Sequence, residues 1–506
     1  MKRKMKAINF ALAVIMTLTL LPGCSGSKTS GTSDKQSATS TEKKQELAPY
    51  EIIVAIPGTE QKDIQVVQDK ISAITKEKIN ATVKFTTISY ASWVQQTNLM
   101  LAANEKLDLL WTSSFYNYNA YVAKGQIIAL DSLIEKFGKD INNKLGSDIL
   151  AGAKIKGSLY AIPSVRDFAG NYGLILRKDL ASKYKINLDN IKTINDITPA
   201  LKTIKENEPN MISIATTQSQ TPVELFGQGI YDKMENWMGV LALDDSNMKL
   251  VNFYETKWYA DTLNIMRDWY NAGYFSKDAA TNKDAMANLV KADKLFSYGY
   301  AGKPGIDTQE SRKSGKEMAY VALTPQISTT TNITGMMTSI AKSSKDPERA
   351  MMLLNLWFSD KNLVNAFDNG IEGTHFVKKS NNLISFPEGV NGGNTKYTPC
   401  NYLIGDNFLS DIWDGDDPQL WTKLDKFNKE AKKSKALGFT FDSEPVKTEV
   451  AAVTNVISQY RMGLETGTLD PKEKLPEYIS KLKAAGMDKI IAEKQKQLDD
   501  WVKTKK

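Results

Sequence analysis

Histidine and cysteine are nearly missing from this chain. Its 506 residues include one histidine, His375, and two cysteines, Cys24 and Cys400. A single imidazole excludes HExxH centres and paired-histidine metal sites, and it removes most Ser-His chemistry as well. Two thiols permit at most one disulfide, so the fold must rest on its core. There is no GxxxxGK[ST] loop, no strand-flanked GxGxxG and no repeat of solenoid period. Nor is there a large charge excess: 65 basic residues face 58 acidic ones, and four of the basic ones fall within residues 1–23. The remainder is nearly neutral, which argues for neither nucleic acid nor an anionic lipid surface as partner.

What is present begins with MKRKMKAINFALAVIMTLTL, a basic head followed by a short apolar run that Pro22-Gly23 stops. This is the pattern of an export signal, and the run falls short of the roughly 20 apolar residues that span a bilayer. Leu21-Pro22-Gly23-Cys24 resembles the bacterial lipobox, with Pro22 off its usual small-residue choice. That resemblance implies cleavage before Cys24, acylation of its thiol and no remaining partner for Cys400. Residues 25–45 contain no large apolar side chain, so they cannot offset their ordering entropy and read as a tether. The expected location is the extracellular face of the cell membrane, lipid-anchored through Cys24.

From about Leu47 roughly 460 residues remain, more than one core usually serves, so two lobes are expected. Strand Tyr50–Ile56, helix Gln61–Ile79, strand Thr82–Thr87, helix Tyr90–Asn104 and strand Leu107–Trp111 alternate as in a parallel sheet covered on both faces. Ligands of such sheets bind beyond the carboxyl ends of the strands. That draws attention to residues 57–60 and to TSSFYNYNAY after the third strand, where Ser113 or Ser114 is expected to cap a helix. Further strands are expected at Met211–Ala215 and Leu295–Tyr300, with helices at Thr198–Lys205 and Lys257–Asn271. Chain crossings between lobes are expected near Leu174–Leu176 and Ala319–Leu323. Asp346-Pro347, Asp417-Pro418 and Asp470-Pro471 each mark a helix start, and the second of these helices is expected to run to Gly438.

Several phrases together resemble the extracellular solute-binding lipoproteins of bacterial ABC importers. They are KGQIIALDSLIEKFG, GSLYAIPSVRDFAGNYGLILRKDL, DPERAMMLLNLWFSD and DNGIEGTHF. The tail from FDSEPVKTEVAAV to DKIIAEKQKQLDDW resembles the LipO-type C-terminal domain of large Gram-positive members. The resemblance implies an α/β fold of two lobes, the type II periplasmic-binding-protein arrangement with crossing hinge strands, plus a helical C-terminal region. The expected division is a signal at 1–23, a tether at 24–46, lobe one at 47–173 plus 320–375, and lobe two at 174–319 plus 376–506. It further implies a monomeric binding protein, without enzyme activity or cofactor, that delivers a solute to a membrane permease. A carbohydrate, acidic ones included, is the ligand class expected for similar proteins.

Sugars present flat apolar faces edged by hydroxyls, so their sites combine aromatic platforms with hydrogen-bonding side chains. Near the expected strand ends, Tyr116, Phe168, Tyr172, Trp237, Tyr298, Tyr300 and Trp413 are platform candidates. Ser113, Ser114, Arg166, Asp167 and Asn407 are the polar ones, and Arg166 facing the cleft would grip a carboxylate. Each aromatic has a core position as its alternative. Glu372 and His375 read better as a structural turn, and the acidic run 414–417 as helix capping, since it lacks the spacing of a calcium loop. Two other functions stay open: a lipid-anchored glycoside hydrolase or lyase, and a peptide-binding or sensor-presenting protein of the same fold.

Overall fold

The apolar run Ile52–Ile56 folds as β1 (Tyr50–Pro57) in the computed structural model, which describes residues 47–216 and 221–504. The export signal, Cys24 and the tether lie outside the described residues. Val67, Ile71, Thr75 and Ile79 recur at helical spacing and are the buried stripe of α1 (Ile64–Ile79), which packs back on the sheet. β2 (Ala81–Ile88) then pairs parallel with β1, and α2 (Trp93–Ala102) leads to β3 (Leu109–Thr112) on the other side of β1. The sequence LLWT of β3 is wholly buried, as expected for a central strand covered on both faces. Strand Met337–Ile340 adds antiparallel to β3, and Ile162–Pro163 closes this five-stranded sheet. This is lobe one.

Lobe two is built on a four-stranded sheet in which Asn171–Arg177 lies between Met318–Ala322 and Leu295–Gly302, antiparallel to both, with Ile212–Ala215 parallel at the far edge. Gly173 lets two of these backbones approach closely, because a Cβ there would lie 1.9 Å from the Val321 carbonyl oxygen. Helices Lys257–Asn271, Lys447–Glu465, Pro471–Ala484 and Met487–Lys503 pack together beside this sheet. Tyr254, Tyr259 and Tyr478 are fully buried where they meet. Asp346 and Asp470 cap their helices, each ahead of a proline, accepting from the amides of Arg349 and Lys472.

Three stretches join the lobes. Gly170 and Ile327 exchange both backbone hydrogen bonds, at 3.0 and 2.8 Å, and Ile327–Ser328 pairs with Lys432–Lys433. The crossings therefore fall at Gly170, at Ile327 and at Lys432. The strands expected to cross, Leu174–Leu176 and Ala319–Leu323, lie inside or against the lobe-two sheet. The helix expected to reach Gly438 ends at Glu430, because the amides of Lys432 and Ser434 turn to the carbonyls of Gln326 and Ser328 at 3.0 and 2.9 Å. Residues 376–430 were expected in lobe two, yet Tyr397, Leu403 and Ile404 are buried in the core of lobe one. Phe439 and Phe441 then enter the core of lobe two.

Candidate functional site

β3 ends at Thr112, and the chain turns sharply over residues 113–117 at the carboxyl edge of the lobe-one sheet. Ser113 is fully buried there, its carbonyl accepting from the amides of Tyr116 and Tyr118 and its hydroxyl from the amide of Phe115. Neither Ser113 nor Ser114 caps a helix: Asn117, in the left-handed conformation, precedes α3 (Tyr118–Ala123) instead. This tight turn leaves Phe115 57% exposed and folds Tyr116 back onto Trp111, with ring centroids 5.3 Å apart.

A polar-aromatic wall continues from this turn. Tyr90 packs edge-on against Trp111, with ring centroids 6.2 Å apart, and its hydroxyl lies 3.5 Å from the Cys400 sulfur. Burial raises the Tyr90 phenol, and Cys400 and Tyr402 beside it raise it further, so it stays protonated. The Arg166 guanidinium stands 5.2 Å from the Tyr402 ring and pairs with Asp167 at 2.5 Å. Asp167 also reaches Lys303, at the end of a lobe-two strand, at 3.2 Å. Burial raises the Asp167 carboxyl, but the two cations outweigh it and hold the group down to about 2. Its contribution to stability is therefore full above the usual aspartate range and is lost as pH falls through about 2. From lobe two, Lys233 faces the Phe115 ring at 5.7 Å, and Glu235 receives the Asn119 side chain.

Arg166, Asp167, Ser114 and Tyr116 are thus brought to one edge, whereas most of the other candidates pack elsewhere. Phe168 is buried, its amide donating to Asn428. Tyr172 is buried on its strand with Asn332 at its hydroxyl. Tyr298 is 2% exposed and donates to Glu310, and Tyr300, two residues along on the same face, packs on it at 5.9 Å. Trp237 lies on Phe253 at 4.2 Å in the lobe-two core, and Trp413 on Phe386 at 4.4 Å. Asn407 is buried, its amide donating to the Asn401 carbonyl. A platform needs an open face, which the buried Phe168, Tyr172 and Tyr298 lack, whereas Tyr300, Trp237 and Trp413 are half-buried and keep part of their surface open. Arg166 is already engaged by Asp167, so a carboxylate-gripping role is not what its geometry favours. Tyr90, Phe115 and Tyr402 went unselected in the sequence; Phe115 and Tyr402 carried only the signal of an aromatic in a polar loop.

His375 is buried in a turn, its Nδ1 accepting from the Ile371 amide at 2.9 Å and its Nε2 facing Asp63 at 3.1 Å. Asp416 pairs with Arg312, and Asp417 with Lys423 and the Gln419 amide. Among the described residues no three His, Cys, Asp or Glu side chains converge as metal ligands would. Cavities of about 560 Å³ between α1 and β2, and of about 310 Å³ beside Trp258 and Leu323, lie apart from the wall.

Two lobes joined by three crossings, with a polar-aromatic wall at the edge between them, define a binding protein that takes its ligand between lobes. The chain belongs to the bacterial extracellular solute-binding proteins, a family of importer binding components and not of enzymes: residues 58–363 match it, and residues 435–503 match a domain of unknown function. A carbohydrate ABC transporter substrate-binding protein of Streptococcus pneumoniae is 28% identical over 86% of this chain and 87% of its own length. Lipoprotein LipO of Bacillus subtilis is 25% identical over 48% of this chain and 51% of its own length. The crystal structure of the N-glycan transport solute binding protein NgtS from Streptococcus pneumoniae superposes with a TM-score of 0.82 at 26% identity, covering 91% of this chain and 100% of that one. The same protein in complex with Man5GlcNAc gives 0.69.

Proposed function

We propose that this protein captures an oligosaccharide against the wall formed by Phe115, Tyr116, Tyr90, Tyr402 and Arg166 and delivers it to a membrane permease. The observation that carries this is exposure: Phe115 and Tyr402, at 57% and 37%, are the exposed aromatic side chains of the described residues, and both stand on this edge. Open aromatic faces beside charged hydrogen-bonding groups suit the alternating apolar faces and hydroxyls of a sugar chain. The carbohydrate-transport relatives support the same class, and Man5GlcNAc is the first probe to use. Calorimetric titration with Man5GlcNAc is expected to show binding, and Phe115→Ala or Tyr402→Ala to weaken it by about 1–3 kcal/mol. If both variants bind like the parent, the wall is not the site.

We infer further that Cys24 carries the acyl anchor and holds the folded part at the outer face of the membrane. The LPGC sequence and the lipoprotein relative support this. Two acyl chains give lasting attachment, so Cys24→Ala is expected to move the protein from membrane to medium. Unchanged membrane recovery of that variant would show that another element holds it.

A further inference from the structure

We propose that the C-terminal segment 435–503, whose domain has no assigned function, positions the lobe-two side of the ligand cleft: Lys494 of helix Met487–Lys503 fixes loop 232–239 against lobe one. This deepens the binding reading above and rests on it.

Lys494 is fully buried, and its ammonium donates to the Met234 carbonyl at 3.3 Å, the Gly239 carbonyl at 3.1 Å and the Asn236 side-chain oxygen at 2.9 Å. All three acceptors belong to one loop, and their number matches the three donors of a charged lysine. Burial lowers Lys494 to about 7, while Glu235 and Asp232 favour its charged form. Met234 and Glu235 have φ of 50 and 77°, a left-handed conformation that side chains rarely hold unless their surroundings impose it. Those surroundings come from the C-terminal segment. Ile491, nearly one turn before Lys494, fills the space beneath Gly239, and the Phe441 amide donates to Glu235 at 3.1 Å. The other side of the loop meets lobe one, through Lys233 on Phe115 and Glu235 on Asn119. One helix of the C-terminal segment therefore sets the height of the surface that opposes the exposed aromatic wall.

Lys494 is a positioning residue, so its test separates loop placement from stability. Hydrogen exchange of the ligand-free, full-length chain is expected to show Lys494→Met losing protection about tenfold at loop 232–239, and also across the cleft at residues 115–119. Leu498→Ala, which removes a fully buried side chain of the same helix, is expected to raise exchange in that helix without reaching 115–119. In calorimetry with Man5GlcNAc, Lys494→Met is expected to bind about tenfold more weakly, and Leu498→Ala to bind like the parent. Should Lys494→Met not fold, Asn236→Ala removes one of the three acceptors and is expected to shift both readouts the same way by less. Parental exchange at 115–119 in these variants would overturn the proposal. A parent protein that binds none of the sugars would count against the oligosaccharide reading instead, with the exchange comparison still deciding what holds the loop.

Discussion

Replacing Arg349 with methionine is expected to destabilise lobe one by about 3–5 kcal/mol, one of the larger losses a single substitution in this chain would produce. Arg349 is 3% exposed, and one guanidinium nitrogen donates to the carbonyls of Ala48, Ile79 and Asn80 at 3.1, 2.7 and 3.0 Å. Two of these oxygens belong to the carboxyl end of α1, where the helix leaves its last carbonyls without internal partners and the macrodipole favours a cation. The third belongs to Ala48, near the first of the described residues and two residues before β1. One side chain thus ties the helix that opens at Asp346 to the α1 exit and the β1 entry. Methionine fills similar volume but leaves the carbonyls without their donor, and an unmet buried acceptor loses its full desolvation energy. Urea unfolding should show a lower midpoint with an unchanged slope. A loss below about 1 kcal/mol would mean that other donors or water replace the guanidinium.

The lobe-one sheet was legible in the sequence because its signals are local. Ile64, Val67, Ile71 and Ile74 repeat at helical spacing between two short β-rich runs, and the elements formed within a few residues of the expected ends. The capped helix starts at Asp346 and Asp470 were legible for the same reason. The third crossing was not. Lys432–Lys433 is a β pair made of two exposed lysines, with no alternation to mark it, and it exists only because Ile327–Ser328 lies alongside. With that crossing unseen, Tyr397, Leu403 and Ile404, which pack in the lobe-one core, were expected in lobe two.

The residues of the proposed wall were legible only in part. Arg166-Asp167 stood out as a charged pair beside an expected strand, and Tyr116 as an aromatic just past β3. Tyr298 and Tyr300 stood out equally, but both point to the same side of their strand, and that side is covered by the helix Ile306–Ser314 that brings Glu310 to the Tyr298 hydroxyl. Period-two alternation predicts that the two share a face; it does not say what covers it. Tyr402 lies far along the chain from Arg166 and meets it only through the packing of its neighbours Tyr397, Leu403 and Ile404 on lobe one. Such a partner is a product of tertiary structure, and no motif announces it.

A pH experiment on lobe two has an effect of comparable size. Glu465, the last residue of helix Lys447–Glu465, is fully buried, with the Tyr259 hydroxyl at 3.1 Å and the Thr221 hydroxyl also in contact. Its carboxyl is pushed up to about 8, first by burial and then by Glu224, against the opposing pull of Thr221, Arg461 and Tyr259. Glu224 is the carboxylate that pairs with Arg461, so Glu465 is the one that keeps a proton at neutral pH. The unfolded chain ionises Glu465 in the ordinary glutamate range, while the folded protein holds the proton until about 8. This contribution to stability is therefore complete below the unfolded value and is lost as pH rises through about 8, a change on the order of several kcal/mol. Glu465→Gln fixes the neutral form in nearly the same shape. It is expected to match the parent at or below the ordinary glutamate range, to exceed it by a gap that widens as pH rises from there to about 8, and to keep a constant lead above that, as read from urea midpoints between about pH 4 and pH 9. Comparing the two proteins cancels the titration of other buried groups, Glu235 and Lys494 among them. Parallel midpoint curves across that range would show that Glu465 is ionised in the folded protein, and that the C-terminal helices are held to lobe two by two buried carboxylates on one arginine.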